Sequence, residues 1–168
     1  MGEALGRQLV GGDVVVLDGP LGAGKTTFTQ GLARGLGVTA PVTSPTFVLA
    51  RHQRPDPAGP RPDGPWLVHV DAYRVGGALE WDDLDLDSDV DRSVVVVEWG
   101  HGLAERLADR WVAVRLTRAA GDGTSDGEAR TLEVSLEGTA PGPEHAPGRR
   151  VDLDLLPGRV PAPEGSDP

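Results

Sequence analysis

The chain has 168 residues and no cysteine, which excludes a disulfide framework, a thiolate metal site and a cysteine nucleophile. Its 16 basic and 26 acidic residues leave a formal net charge of −10, the wrong sign for a protein that grips a nucleic-acid backbone with its whole surface. No apolar run exceeds four or five residues and no secretory leader opens the chain, so the expectation is a cytoplasmic protein with no membrane span.

Residues 1–11 carry apolar positions at Leu5, Leu9 and Val10, a short helical spacing. Val14 to Leu17 is a compact, β-branched run bounded by turn residues, as a buried parallel strand would be. After a glycine-rich stretch over 19–24, Phe28, Leu32 and Leu36 lie four apart and predict a helix over 25–36, with Gly37 as its stop. Residues 38–50 read as a loop leading into a short strand. The segment 51–65, with five prolines and two glycines, reads as an exposed excursion rather than a core element.

Leu67 to Val70 is a second buried-type run and ends at Asp71. Residues 78–91 form a polar helix or helical turn, and Val94 to Val97 is a third run, ending at Glu98. A short helix is predicted over 103–110, and Trp111 to Leu116 and Thr131 to Leu136 alternate as strands do. From residue 121 onward 15 of 48 residues are Gly or Pro, so 138–168 is expected to be a disordered tail behind a domain over 1–137. Strand, turn and helix in repetition imply an α/β fold, a mostly parallel sheet with helices on both faces.

Gly19-Pro20-Leu21-Gly22-Ala23-Gly24-Lys25-Thr26 satisfies G-x-x-x-x-G-K-[ST], the phosphate-binding loop of P-loop NTPases. Glycines let the backbone N–H groups point inward as an anion nest, and the following helix aims its positive dipole end at the same place. Lys25 would reach the β and γ phosphates and Thr26 would offer its hydroxyl to magnesium. The context fits, with an apolar strand before the loop and a helix after it. Fifteen of the 16 cations are arginine, so Lys25 is the single lysine, placed where a compact ammonium on a flexible stem is required.

Such a cradle needs a carboxylate for the magnesium, usually at the end of a neighbouring apolar strand. Asp71 and Glu98 are both at strand carboxyl ends, the edge where open α/β sheets bind ligands. Trp99 is either a wall of that site or a core residue. Thr43-Ser44-Pro45-Thr46 is either a switch-like loop near the γ-phosphate or a hydroxyl-rich turn. The absence of Asn-Lys-x-Asp removes that route to guanine, leaving adenine by elimination. Asp83, Asp85, Asp87 and Asp89 fail as a calcium loop and read as a solvated acidic face or a dock for a basic partner. His52 and His69 have no spaced partner and receive no role.

DGPLGAGKTTFTQGLARGLG (18–37), VTSPTFVL (42–49), HVDAYR (69–74), LEWDDLDLD (79–87) and VVVVEWG (94–100) occur in that order. The series, over roughly residues 4–117, resembles the bacterial TsaE (YjeE) family, small ATPases of tRNA threonylcarbamoyladenosine biosynthesis. The resemblance implies a three-layer P-loop NTPase fold with ATP and magnesium at the carboxyl edge of the sheet. It also implies action on the TsaB–TsaD pair, which modifies the adenosine next to the anticodon, with tRNA engaged only through that complex.

On the resemblance, Gly19 and Gly22, Ala23, Gly24, Lys25, Thr26 and Thr27 bind the nucleotide, and Thr26 and Glu98 hold magnesium. Asp71 and Glu98 organise the attacking water, and Trp99 lines the site. The roles of Ser44, Thr46 and Arg130 are left open. Family members usually carry an N-terminal stretch that helps enclose the nucleotide, whereas Met1 here sits almost at the segment matching ALGRQLV.

The expected chemistry is in-line attack of water on the γ-phosphate, slow without the partner complex because no arginine stands out as a finger in cis. Two rivals remain. One is a nucleotide sensor that binds without hydrolysis; the other is a small-molecule kinase, which needs an arginine-rich lid late in the fold, whereas Arg51, Arg54 and Arg61 lie in the proline-rich excursion, too early in the chain.

Overall fold

In a computed structural model the three apolar runs become neighbouring strands; the residues described are 1–45, 49–75, 81, 82, 84, 86, 90–103, 107–118, 130–138 and 151–158. The elements are α1 (Gly2–Gly6), β1 (Val14–Asp18), α2 (Lys25–Leu36), β2 (Ala50–Gln53), β3 (Trp66–Asp71), β4 (Ser93–Glu98), β5 (Arg110–Arg118) and β6 (Arg130–Gly138). They build one six-stranded sheet in the order β2-β3-β4-β1-β5-β6. The four inner strands run parallel, and β2 and β6 close the edges antiparallel. The sheet is thus the expected α/β arrangement, with the parallel reading holding for its interior and both edges reversed.

Continuous apolar runs suit a sheet covered on both faces, because each successive side chain must enter a core. Val94 and Val96 of β4 join Val15, Leu17 and Leu67 in a layer beneath α1 and α2. Val95 and Val97 join Val14, Val16, Val68 and Val70 on the opposite face, packed with Trp81, Leu86 and Leu107. Helical residues Trp81 and Asp82 and the 3-10 turns Ala72–Arg74 and Val90–Arg92 serve that second face. Asp83, Asp85, Asp87 and Asp89 lie outside the described residues, as do residues 104–106 of the helix predicted over 103–110. The described flanks of that helix are turn residues, and Arg110 already opens β5.

The two helices on the first face approach closely because both present glycine. A Cβ on Gly35 would stand 2.4 Å from the Glu3 carbonyl oxygen, and one on Gly6 would stand 2.2 Å from that of Leu32. Backbone therefore meets backbone, and Leu5, Leu32 and Leu36 are driven fully into the core beside the contact.

The proline-rich segment 51–65 is mostly exposed, as expected, but it is more than a connection. Its first residues lengthen β2, and Arg61 reaches under the helices. The guanidinium donates to the carbonyls of Gly6 at 3.0 Å and Gly35 at 3.4 Å, near the ends of α1 and α2, and to that of Leu9 at 2.8 Å in the segment after α1. Arg54 stacks over the Trp66 ring at 4.2 Å, and Arg92 also stacks on that ring at 4.1 Å. Composition predicts proline turns well; it is silent on an arginine that finds carbonyls elsewhere in the chain.

Most of the expected tail lies outside the described residues, but 151–158 returns to the domain. Val151 and Leu156 are buried in the first core layer. The Gln8 side chain pairs with the backbone of Asp152 in both directions, donating to its oxygen at 3.1 Å and accepting from its N–H at 2.7 Å. Among the described residues no helix is long and apolar enough to cross a membrane.

Candidate functional site

The loop between β1 and α2 opens at the carboxyl edge of the sheet. Gly24 caps α2 with φ of 105°, a left-handed backbone that only glycine adopts without strain. The helix has no side-chain cap and no acidic residue in its first turn, so its own first turn brings no negative charge to its positive end. Lys25 and Thr26 are its first two residues.

Lys25 is 5% exposed. Its Nζ donates to the carbonyls of Gly19 at 2.8 Å and Pro20 at 3.2 Å, and it stands 4.1 Å from the centre of the Trp99 ring. Burial pulls this ammonium below the ordinary lysine value, while the carboxylates of Glu98, Asp71 and Asp18 push the other way without cancelling it. An anion placed beside Nζ would relieve that penalty.

Trp99 follows Glu98 with φ of 61°, a conformation rare for a large residue and one that clusters at functional sites. Its N–H donates to the Leu17 carbonyl at 3.1 Å, which fixes the turn against β1. The Tyr73 ring lies 5.4 Å from it, tilted by 53°. Trp99 is therefore a wall of the cleft.

Asp71 and Glu98 are the last pair in the parallel ladder of β3 and β4, and Glu98 also stands opposite Leu17 of β1. Both carboxylates are largely buried. Asp71 Oδ1 accepts from the Tyr73 N–H at 3.1 Å and so starts the turn Ala72–Arg74. Glu98 Oε1 accepts from Thr26 Oγ1 at 3.0 Å and lies 3.0 Å from His69 Nε2. A hydroxyl that donates to a carboxylate keeps its lone pairs for a cation.

These groups line one open cleft of about 750 Å³. Gly22, Gly24, Lys25, Thr26, Thr27, Asp71, Glu98 and Trp99 all face it, and Ser44 joins them. Two predicted members behave differently. Gly19 contributes its carbonyl to Lys25 rather than a surface of the cleft, and the Ala23 side chain is buried in the first core layer. Alanine's methyl packs under the loop, so only its backbone is available to a ligand. Thr46 lies outside the described residues, and Arg130 opens β6 opposite Arg118.

Three further residues stand at the cleft or beside it. Leu21 and Tyr73 form an exposed rim at 88% and 69%, a feature that composition does not flag. Spacing along the chain gives His69 no partner, yet strand alternation does put it on the same face as Asp71, two residues on.

The donor set fits magnesium with a phosphate chain. Two carboxylates and a hydroxyl are hard oxygen ligands, and magnesium is typically held by one or two carboxylates together with substrate phosphates and water. Among the described residues no group of three His, Asp or Glu side chains is arranged to hold a metal unaided.

Comparison with known proteins gives the family and the fold. The family described as threonylcarbamoyl adenosine biosynthesis protein TsaE matches residues 1–126. A protein of Mycobacterium tuberculosis (strain ATCC 25618 / H37Rv), named tRNA threonylcarbamoyladenosine biosynthesis protein TsaE, is 55% identical over 124 residues, 70% of this chain and 71% of its own. A Streptomyces coelicolor protein of the same name is 52% identical over 136 residues, 80% of this chain and 87% of its own. The crystal structure of Bacillus subtilis YdiB superposes with a TM-score of 0.56 at 30% identity, covering 83% of this chain and 76% of that one. The fold is that of a P-loop NTPase.

Proposed function

The chain belongs to the TsaE family of tRNA threonylcarbamoyladenosine biosynthesis, and we propose that it serves there as a magnesium-dependent ATPase acting on the TsaB–TsaD pair. The observation that carries this reading is the convergence, in one cleft, of Lys25, the uncapped start of α2, and the Thr26 hydroxyl bonded to Glu98.

Phosphate oxygens would take the place of the Gly19 and Pro20 carbonyls on Lys25 Nζ, returning a counter-charge to a desolvated ammonium. The loop amides and the start of α2 would hold the rest of the phosphate chain. Thr26 and Glu98 would hold magnesium, which when bound neutralises charge on the β and γ oxygens. Asp71, one strand over from Glu98, would orient the attacking water, and Trp99 would exclude bulk solvent from the side of Lys25.

No arginine is among the described residues that line the cleft. On this reading hydrolysis by the protein alone is slow and rises with the partner complex, since an arginine at the transferring group contributes on the order of 10³ to 10⁵ in rate. The kinase alternative loses ground on the same residues: Arg61 is engaged with helix carbonyls and Arg54 with Trp66, so neither covers the loop. A net charge of −10 favours a protein complex over bare tRNA as the direct partner.

The test is ATP hydrolysis with magnesium, with and without the TsaB–TsaD pair. Slow turnover alone and a clear acceleration with the pair is the expected result. Fast, partner-independent turnover would overturn the accessory role, and ATP binding with no hydrolysis in either case would favour the sensor.

A further inference from the structure

His69 is fully buried in the middle of β3, between Val68 and Val70 and opposite Val96 of β4. Its Nδ1 has no hydrogen-bond partner among the described residues. An unsatisfied polar atom in a core destabilises it, and an apolar side chain would fill the same place without that penalty. The imidazole has one polar contact to set against this: Nε2 lies 3.0 Å from Glu98 Oε1. A lone pair on Nε2 would repel the carboxylate, so Nε2 carries the hydrogen and donates.

Two donors then meet on the same oxygen, Thr26 Oγ1 and His69 Nε2, each at 3.0 Å. They occupy the lone pairs of Oε1 from the helix side and from within the sheet, which leaves Oε2 for the cleft that Glu98 lines. Thr26 alone leaves the carboxylate free to swing about the Thr26 bond; the second donor, rooted in a rigid strand, removes that freedom. We propose that His69 is a positioning residue that pins Glu98 through Oε1 and so directs Oε2 at the magnesium–phosphate group. The proposal rests on the nucleotide reading of the cleft.

Three variants separate positioning from packing. In His69→Gln the amide nitrogen reaches the place of Nε2 and can still donate to Glu98; in His69→Asn it stops at the place of Nδ1; His69→Leu removes the donor. Affinity for the non-hydrolysable analogue AMP-PNP is measured by calorimetry with magnesium and with EDTA, and kcat and KM are measured with the TsaB–TsaD pair. Loss of a residue that orients a metal ligand typically lowers metal affinity or activity by about 10- to 100-fold.

The expected result is that Asn and Leu reduce kcat by about 10-fold or more and diminish the gain in affinity that magnesium gives, with EDTA binding unchanged. Gln should restore both to within about threefold, and His69→Leu should add nothing in a Glu98→Gln background. Equal behaviour of Gln and Asn, or a parallel loss of binding in EDTA, would overturn the positioning role. If the wild type binds the analogue yet hydrolyses no ATP, the ATPase reading fails while the magnesium series still decides on His69. If the Leu variant does not fold, the Gln and Asn pair carries the test.

Discussion

Thr26 Oγ1 donates to Glu98 Oε1 at 3.0 Å across 72 residues of chain, tying the first turn of α2 to the end of β4. The bond exists because β1 and β4 are parallel neighbours, with Leu17 opposite Glu98, so the loop that leaves β1 starts its helix beside that carboxylate. Thr26→Ala removes both the hydroxyl proposed to hold magnesium and one of the donors on Glu98. Hydrolysis should fall by about 10- to 100-fold, while binding of AMP-PNP in EDTA stays within a few-fold of wild type. Calorimetry and a phosphate-release assay check the two halves.

Lys25 is a cation whose burial is only partly offset by Glu98, Asp71 and Asp18. Lys25→Met keeps the stem and discards the charge. ATP affinity should drop by roughly 100-fold, the scale of hydrogen bonds to a charged group, yet the melting temperature should not fall. A drop in thermal stability alongside lost binding would mean that the ammonium supports the fold as well.

Arg61 satisfies carbonyls of Gly6 and Leu9 and approaches that of Gly35. Arg61→Ala should destabilise the protein by about 2 kcal/mol, which lowers the melting temperature by roughly 4–8 °C for a chain of this size. ATP affinity should be unchanged, because Arg61 bonds the last residue of α1, the segment after it and the last turn of α2, at the far end of α2 from Lys25. Differential scanning fluorimetry with and without ATP and magnesium reads both.

The close crossing of α1 and α2 makes Gly35→Ala a packing test. The new methyl would meet the Glu3 oxygen at 2.4 Å, the Arg7 nitrogen at 2.8 Å and the Gly6 Cα at 2.8 Å, all backbone atoms that cannot rotate away. The helices must separate, at a cost of about 1–3 kcal/mol despite alanine's better helix propensity. Urea unfolding of the two proteins measures the difference.

Asp56 gives a pH signature. Its carboxylate accepts from the Ala58 N–H at 2.8 Å and from the Thr39 hydroxyl at 2.8 Å, and these bonds hold it below the ordinary aspartate value. A depressed carboxylate contributes stability that is present above its unfolded value, near 3.8, and is lost as pH falls through the lower folded one. Asp56→Asn keeps an acceptor for Ala58 but does not titrate. The stability advantage of wild type over Asp56→Asn should therefore shrink as pH drops below about 4, as read by thermal melts at graded pH.

Much of the site could be read along the chain because its signals are local. The loop glycines, Lys25 and Thr26 are fixed by spacing within eight residues, and apolar runs that end at Asp71 and Glu98 mark strand ends wherever the strands lie. The same period-2 logic divides Val94 to Val97 between two cores, which is why the run is continuous.

Only the tertiary structure decided which local features meet. The order β3-β4-β1 and its parallel register put Asp71 beside Glu98 and bring His69, 29 residues from Glu98 in the chain, within 3.0 Å of its Oε1. The antiparallel edges, the grip of Arg61 on the helices and the return of Val151 and Leu156 to the core are of the same kind. Periodicity and motif spacing act over a turn or a strand, and so by themselves they determined the cradle and its flanking elements. Pairing between distant segments depends on which apolar faces can be buried together, a condition on the whole chain, and that condition brought Thr26, His69 and Asp71 to Glu98.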